Sequence, residues 1–332
     1  MSTAAAVILW VGATFYAIFG GADFGGGFWD LIAGGPEKGE RPRNTIQNSL
    51  TPVWEANHVW LIFILVVLWT AFPSVFSAIF TTLYVPLVLA VLGIVLRGSG
   101  FAFRKSVEGL SERRAAGATF AISSLVTPFF MGTAVGAIAI GNVPAGGGGD
   151  AFSSWLAPAP LCIGGMFVAT SAYLAAVFLV GDTRRVGDKE MELYFEKRAL
   201  AAGVVAGLFA VLGLVALHSE AHYVYNRLVH EGLPLIILSV VCGLGMLGVL
   251  LLGGRLLLRP LAAGAVIAVI WGWFVAQFPY LLPTSLTISE AAAPNATLGA
   301  VFIVFGIACI VVIPALMILF VLAQTDMLEH EH

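Results

Sequence analysis

Three charged residues stand inside segments of this chain that otherwise have the composition of membrane spans. Asp23 lies in GGADFGGGFWD (20–30), directly after the apolar run AAAVILWVGATFYAIF. Glu55 lies in TPVWEANHVWLIF (51–63), and Arg97 closes a further apolar run. A charge at this depth costs roughly 2.5–3.5 kcal/mol on insertion scales, so such residues usually pair, face water or relay protons. These three residues are the candidates for chemistry.

The residue types leave two uses open. Carboxyl groups take up and release protons, so Asp23 and Glu55 could carry protons through the membrane. The alternative is an ion pair with Arg97 that locks three spans together. Asp30, seven residues after Asp23, is predicted to lie at the membrane edge.

Glycines surround Asp23 and remove side chains over two helical turns. They are Gly20, Gly21, Gly25, Gly26 and Gly27. Gly21 and Gly25 have the small-xxx-small spacing that lets membrane helices approach closely. The pattern predicts that another helix packs here and that the acid is turned away from lipid.

The composition is that of a membrane protein with several spans. Hydrophobic residues make up 59% of the 332 residues, charged residues 11%, and the mean hydropathy is +0.97. These values lie far outside the range of soluble domains. A net charge of −3 without a basic stripe excludes nucleic-acid binding. The three cysteines lie in separate apolar runs, which favours packing over a disulfide or metal site.

Nine apolar runs are long enough to cross a membrane. They are residues 7–30, 54–72, 76–97, 117–141, 155–180, 199–217, 234–253, 261–280 and 298–322. The first has no preceding Lys or Arg and no cleavage site after it, so we expect a retained helix. Residues 1–332 are predicted to form a single, all-α membrane domain.

Basic residues divide sharply between the two sides of the membrane. Of the 16 Lys and Arg, all except Arg227 fall in the odd-numbered connections. Cytoplasmic loops carry the excess of Lys and Arg, so the N-terminus is predicted outside and the tail TDMLEHEH in the cytoplasm. Residues 182–200 are predicted to form a short cytoplasmic surface helix, and Asn295 to cap the last span.

This orientation gathers the three candidates in one half of the membrane. Asp23 precedes Asp30 by seven residues, which places it about 10 Å deep. The second span is predicted to begin after Pro52, so Glu55 enters about one turn from the same side. Arg97 ends the third span, again on the cytoplasmic side.

Histidine is the usual axial ligand of haem, and the chain has six. Of these, His58 is the one predicted to lie within a span. His218, Glu220 and His222 could coordinate a surface metal, but their i, i+2, i+4 spacing in a loop is undistinguished. The sequence carries no nucleophile or phosphate-binding motif, so it indicates no catalytic centre of its own.

Four segments together resemble subunit II of the cytochrome bd quinol oxidases. They are GGADFGGG (20–27), NSLTPVWEANHVWLI (48–62), LYVPLVLAVLGIVLRGSGFAFR (83–104) and FPYLLPTSLTI (278–288). The resemblance spans the chain, and the second segment is specific, with a Trp, an acid, then Asn and Val-Trp-Leu. It implies nine helices, arranged as two four-helix bundles plus a peripheral helix, in a bacterial plasma membrane.

The resemblance also implies a partner. Subunit I of that family has a similar fold and carries haems b, haem d and the quinol site, and the heterodimer oxidises quinol and reduces dioxygen to water. This chain would then hold no haem or other metal. Membrane lipids and small single-helix subunits are further partners that the sequence leaves open.

Roles for individual residues follow from the resemblance. Glu55 takes the acid position of the Trp-acid-x-Asn motif, where relatives commonly have Asp, and this implies a proton path from the cytoplasm. Asp23 takes the acid position of the first helix, and Arg97 matches a basic residue of the third. No role is carried to His58, because many relatives have another residue there.

Five further residues are assigned to helix packing or to contact with a bound lipid or quinone. They are Trp54, Asn57, Trp60, Gly21 and Gly25.

Two other functions compete with the oxidase hypothesis. One is a proton-coupled secondary transporter that uses Asp23 and Glu55 as its coupling site and the glycines as a hinge. Inverted repeats and interrupted helices would favour it, and neither stands out in the sequence. The other is a purely structural subunit, which predicts that both acids can be neutralised without loss of activity.

Overall fold

The computed structural model describes residues 1–35, 37–50, 54–106, 109–254 and 257–324. These residues form α1 (Ser2–Leu31), α2 (Glu40–Leu50), α3 (Trp54–Asn57), α4 (Val59–Ala71), α5 (Pro73–Thr82), α6 (Tyr84–Ser106), α7 (Leu110–Ala139), α8 (Pro158–Val186), α9 (Lys189–Glu220), α10 (His222–His230), α11 (Leu233–Leu251), α12 (Leu258–Gln277), β1 (Tyr280–Leu282), β2 (Leu286–Thr287), α13 (Ile288–Ala291) and α14 (Asn295–Gln324). Pro52, Arg255 and the tail 325–332 lie outside the described residues.

Within the described ranges, eight helices are long and apolar enough to cross a membrane, and there are nine if one bent pair counts as a single span. The eight are α1, α6, α7, α8, α9, α11, α12 and α14. This confirms a polytopic, mostly helical membrane protein.

The predicted boundary between the second and third spans is wrong. The expected third span began at residue 76, but α5 is a separate short helix bent by 116° from the preceding helical segment, and α6 begins at Tyr84. Pro73 causes the break, because proline has no N–H to donate and disfavours helix at the residue before it. Phe72 accordingly has φ −138° and ψ 60°.

The predicted surface helix over 182–200 is also absent as a separate element in this described region. α8 continues to Val186, and the chain turns at Gly187, where φ is +77°. Asp188 then caps α9, its side chain accepting a hydrogen bond from the Met191 N–H. No proline interrupts α9 (Lys189–Glu220), so the charged segment and the apolar run form one helix.

Several small elements outside the spans had no counterpart in the sequence prediction. α2 follows α1, and β1 pairs antiparallel with β2 in a hairpin between α12 and α13. Thr287 and Glu290 form a capping box at α13, each side chain bonding the other residue's backbone N–H. Hydropathy scanning detects spans, not elements this short.

α1 lies at the centre of the packing. It contacts α4, α7, α8 and α12. The indole of Trp29 donates to the Ala172 carbonyl of α8 at 2.7 Å, and that of Trp10 donates to the Ile270 carbonyl of α12 at 3.1 Å. The acid-bearing helix is therefore enclosed by protein over much of its length.

Candidate functional site

Asp23 is buried in the middle of the described helices, with 2% of its surface exposed. Its Oδ2 accepts a hydrogen bond of 2.7 Å from the side-chain amide of Asn57, which is also buried. Asn57 ends α3, so a short turn before α4 delivers the donor to α1. A buried carboxyl group needs such a partner, since an unsatisfied one costs about 1–3 kcal/mol or more.

Arg97 of α6 is 1% exposed and reaches the same place from another helix. Its Nη2 donates to the backbone carbonyl of Asp23 at 3.1 Å, and its Nε donates to Ser124 Oγ of α7 at 3.1 Å. Among the described residues, no ion pair joins the guanidinium to the Asp23 carboxylate. We refer to Asp23, Asn57, Arg97 and Ser124 as the Asp23 cluster.

Two aromatic rings complete the environment of Arg97. The guanidinium carbon lies 5.1 Å from the ring centres of both Phe24 and Phe120. The negative faces of aromatic rings attract a cation, by about 2 kcal/mol or more where water is excluded. Rings and neutral oxygens thus stabilise the buried charge and leave the carboxylate in contact with a neutral amide.

The glycines let the helices meet around this cluster. A Cβ on Gly25 would lie 1.9 Å from the Ser171 carbonyl oxygen of α8, and one on Gly27 would lie 2.1 Å from Ser124 Oγ. At Gly21 the nearest atoms would be 3.7 Å away, which is ordinary contact. Close approach therefore needs glycine at 25 and 27, not at 21.

Glu55 is exposed and lies in the first turn of α3, two residues before Asn57. Its backbone carbonyl accepts a hydrogen bond from the His58 N–H at 3.2 Å. The structure thus unites Asp23, Asn57 and Arg97, and places Glu55 at the surface of the segment that supplies Asn57.

The motif in residues 48–62 contains two tryptophans, Trp54 and Trp60. Trp60 is half-buried and stacks on Phe15 of α1, with ring centres 4.4 Å apart, so it packs α4 against α1. The side chain of Trp54 lies outside the described residues.

The sequence analysis missed the contribution of α7 to the site. Ser124 and Phe120 both contact Arg97. The signal was present, because Ser123, Ser124 and Thr127 are polar residues within an apolar run, but the sequence does not say what they face.

Metal-binding side chains do not form a cluster in the part of the chain that the structure describes. No group of three or more His, Cys, Asp or Glu side chains is arranged to hold an ion in this part of the chain. His58 is half-buried, with its ring 6.2 Å from that of Tyr16 and 5.9 Å from that of Phe24. Glu220, which the sequence grouped with His218 and His222, accepts instead from the Ala159 N–H at 3.1 Å.

Ion pairs cluster where α1 ends. Arg41 of α2 pairs with Glu190 and, at 2.9 Å, with Asp188, while Arg184 of α8 donates to the Gly254 carbonyl. The Met191 N–H, together with Arg41, holds the pKa of Asp188 below its usual range. The connections after α1, α8 and α11 therefore meet at one edge. We call it the charged edge, and its side chains are Arg41, Asp182, Arg184, Asp188, Glu190, Glu192, Glu196 and Arg259.

Comparison with known proteins shows the family to which the chain belongs. The family model described as "Cytochrome bd terminal oxidase subunit II" matches residues 1–323, which is nearly the whole chain. The chain belongs to the cytochrome bd terminal oxidase subunit II family. It is accordingly a multi-pass bacterial membrane protein and a subunit of a quinol oxidase complex.

Similar proteins of this family come from several bacteria. A putative cytochrome bd menaquinol oxidase subunit II of Bacillus subtilis is 24% identical over 92% of this chain and 91% of its own length. Subunit 2 of a cytochrome bd ubiquinol oxidase, also of B. subtilis, is 27% identical over 71% of this chain and 67% of its own. Subunit 2 of the Escherichia coli K12 cytochrome bd-I ubiquinol oxidase is 31% identical over 36% of this chain and 31% of its own.

A solved structure has the same fold. A chain of the bd oxidase from Geobacillus thermodenitrificans aligns with a TM-score of 0.81 and 22% sequence identity, over 96% of this chain and 97% of that one. The two chains thus share a fold at low sequence identity.

Proposed function

We propose that this chain is the haem-free, proton-conducting subunit of a cytochrome bd-type quinol oxidase. It pairs with subunit I in a heterodimer, and the haems b and d of that partner supply the electron transfer and the reduction of dioxygen to water. The proposed substrate of the complex is a quinol. The observation that carries the proposal is a buried carboxyl group, Asp23, joined by one hydrogen bond to the segment that exposes Glu55.

The proposed path begins at Glu55. This carboxyl group is exposed, and Asn57 two residues later bonds to Asp23 inside the protein. A proton taken up at Glu55 moves along water to Asp23, and Arg97 sets the electrostatic environment of that group from the backbone side. Both acids can bind and release the transferred proton, which an apolar core could not do.

The proposed orientation places the N-terminus outside and the tail in the cytoplasm. The charged edge supports this, because it joins three of the connections in which the sequence concentrates Lys and Arg. Glu55 then takes protons from the cytoplasm. Since quinol oxidation would release protons outside, charge separation follows without a pump.

The test of this path is a pair of isosteric variants, Glu55→Gln and Asp23→Asn, in the purified complex. Each removes a proton-binding group and keeps a hydrogen-bonding side chain of the same shape. We expect oxygen uptake with a short-chain quinol to fall about a hundredfold in each, the lower end of the effect of losing a proton-transfer group. The visible spectrum of the haems should not change.

The control is Glu37→Gln, which neutralises another exposed carboxylate in the connection after α1. It should keep full turnover. Full turnover in Glu55→Gln and Asp23→Asn as well would remove the path from this subunit and leave it the purely structural role.

The transporter hypothesis is not retained. Membership of an oxidase family across 1–323 favours the oxidase subunit, and no observation in the described residues favours a coupled transport site.

A further inference from the structure

Tyr16 is a buried polar residue that the proposed path does not yet use. It lies on α1 seven residues before Asp23, which is two helical turns and the same face of the helix. Its hydroxyl is buried and has no hydrogen-bond partner among the described residues. Most buried hydroxyls are hydrogen-bonded to protein or to ordered water, so this one calls for an explanation.

Gly20 sets the direction in which the Tyr16 ring points. A Cβ on Gly20 would lie 2.7 Å from Cε2 and 2.9 Å from Cδ2 of that ring. The ring therefore lies beside residue 20, one helical turn nearer to Asp23, and a side chain at that position would collide with it. Helical side chains normally lean toward the N-terminus, so this placement depends on the missing side chain.

The surroundings of the Tyr16 ring include the residues of the proposed path. The ring meets Phe24 edge-on, with centres 6.4 Å apart, and the His58 ring lies 6.2 Å away. Phe24 adjoins Asp23 in the sequence, and the guanidinium carbon of Arg97 lies 5.1 Å from the centre of the Phe24 ring. The charged and titratable groups facing Tyr16 are thus Asp23 on its own helix, His58 before α4 and Arg97 on α6.

The second carboxylate oxygen of Asp23 can also accept a hydrogen bond. Asn57 donates to Oδ2, which leaves Oδ1 as the acceptor for a second donor. An internal water needs two to four polar partners in a roomy polar site, and a hydroxyl with a carboxylate oxygen supplies two of them.

We propose that the Tyr16 hydroxyl and the Asp23 carboxylate hold an internal water between them, and that this water continues the proton path from Asp23 toward the middle of the membrane. The inference rests on the proposed function, since it extends the same path. Tyr16 acts as a positioning residue: its hydroxyl orients the water, which accepts a proton on one side and releases one on the other.

The test begins with Tyr16→Phe in the purified complex. This variant removes the hydroxyl and keeps the ring, so packing against Phe24 and His58 is preserved. We expect turnover with a short-chain quinol to fall about fivefold, the effect of losing one hydrogen bond. We also expect the solvent deuterium isotope effect on turnover to rise, because proton delivery becomes rate-limiting, and a purely structural role would not change it.

Tyr173→Phe is the matched control. Tyr173 on α8 also has a buried hydroxyl without a described partner, and it packs in an apolar cluster with Phe195 and Met246. This variant should keep the parent turnover and isotope effect. Equal slowing in both tyrosine variants would overturn the proposal, because it would reflect a general cost of removing a buried hydroxyl.

Gly20→Ala provides the second measurement. The added methyl group pushes the Tyr16 ring off its position, so turnover should fall about as far as in Tyr16→Phe. In the double variant, Gly20→Ala should cause no further loss, since the hydroxyl it displaces is already gone. An undiminished effect of Gly20→Ala in the Tyr16→Phe background would show that packing, not the hydroxyl, is responsible, and would overturn the proposal.

The outcomes also separate this inference from the proposed function. If Asp23→Asn slows turnover and Tyr16→Phe does not, the path ends at Asp23 without Tyr16, and the inference alone fails. If Asp23→Asn and Glu55→Gln keep full turnover, the path itself fails.

Discussion

Arg97 shows how a full charge is stabilised inside the protein by partners other than a carboxylate. Its two described hydrogen bonds go to a backbone carbonyl and a hydroxyl, and two phenylalanine rings flank it. Neutral partners in fixed positions replace the water that a guanidinium loses on burial. This arrangement needs a planar, forked donor, because the two acceptors belong to different helices.

At the residue scale, we predict that Arg97→Lys lowers the stability of the complex although the charge is kept. Lysine is a point donor that cannot reach both Asp23 and Ser124 or stack between the rings, so the loss should be about 2–3 kcal/mol. The measurement is the thermal unfolding midpoint of the complex. Arg114→Lys, at an exposed position near the start of α7, should leave it unchanged, and equal midpoints in both variants would contradict the prediction.

At the scale of elements, the contact between α1 and α8 is decided by one glycine of the predicted pair. Gly25 meets the Ser171 backbone, which cannot move aside without shifting the helix, whereas Gly21 has room for a methyl group. In sequence the two glycines look alike. The small-xxx-small spacing identifies a helix face that can approach a partner, not the residue at which the partner comes closest.

We therefore predict opposite results for two alanine substitutions. Gly25→Ala should destabilise the complex by about 1–3 kcal/mol, since the added atom forces α1 and α8 apart. Gly21→Ala should be neutral or stabilising by up to about 1 kcal/mol, because alanine favours helix. Thermal unfolding of both variants checks this pair, and equal destabilisation would mean that the two helices do not approach as described.

At the scale of the whole molecule, the charged edge joins segments that are far apart in sequence. Arg41 reaches Asp188 across 147 residues, and Arg184 reaches Gly254 across 70. Long-range pairs of this kind can form only if the connections emerge on one side of the membrane. The proposed orientation makes that side cytoplasmic.

Single cysteines test the orientation. The two introduced cysteines are Glu37→Cys and Gly146→Cys. Glu37 lies in the connection after α1, and Gly146 lies in the exposed connection between α7 and α8. A membrane-impermeant maleimide applied to intact spheroplasts should label Gly146→Cys and spare Glu37→Cys, with the parent protein giving the background of its three native cysteines. The reverse pattern would invert the topology and the proposed direction of proton uptake.

The sequence by itself determined the membrane class, most of the spans, the family resemblance and the set of polar residues that cannot face lipid. Hydropathy and charge are properties of the residues themselves, so the sequence shows directly which segments suit lipid and which suit water. Pro73 is a sequence signal for the bend at Phe72. A hydropathy window averages composition, however, and does not detect a change in the direction of the helix axis.

Only the tertiary structure decided which polar groups meet. Asn57 bonds to Asp23 across 34 residues, and Arg97 reaches the Asp23 carbonyl across 74. Because the rotation and depth of each helix depend on its neighbours, no spacing along the chain predicts that Arg97 meets a backbone oxygen or that Ser124 joins it.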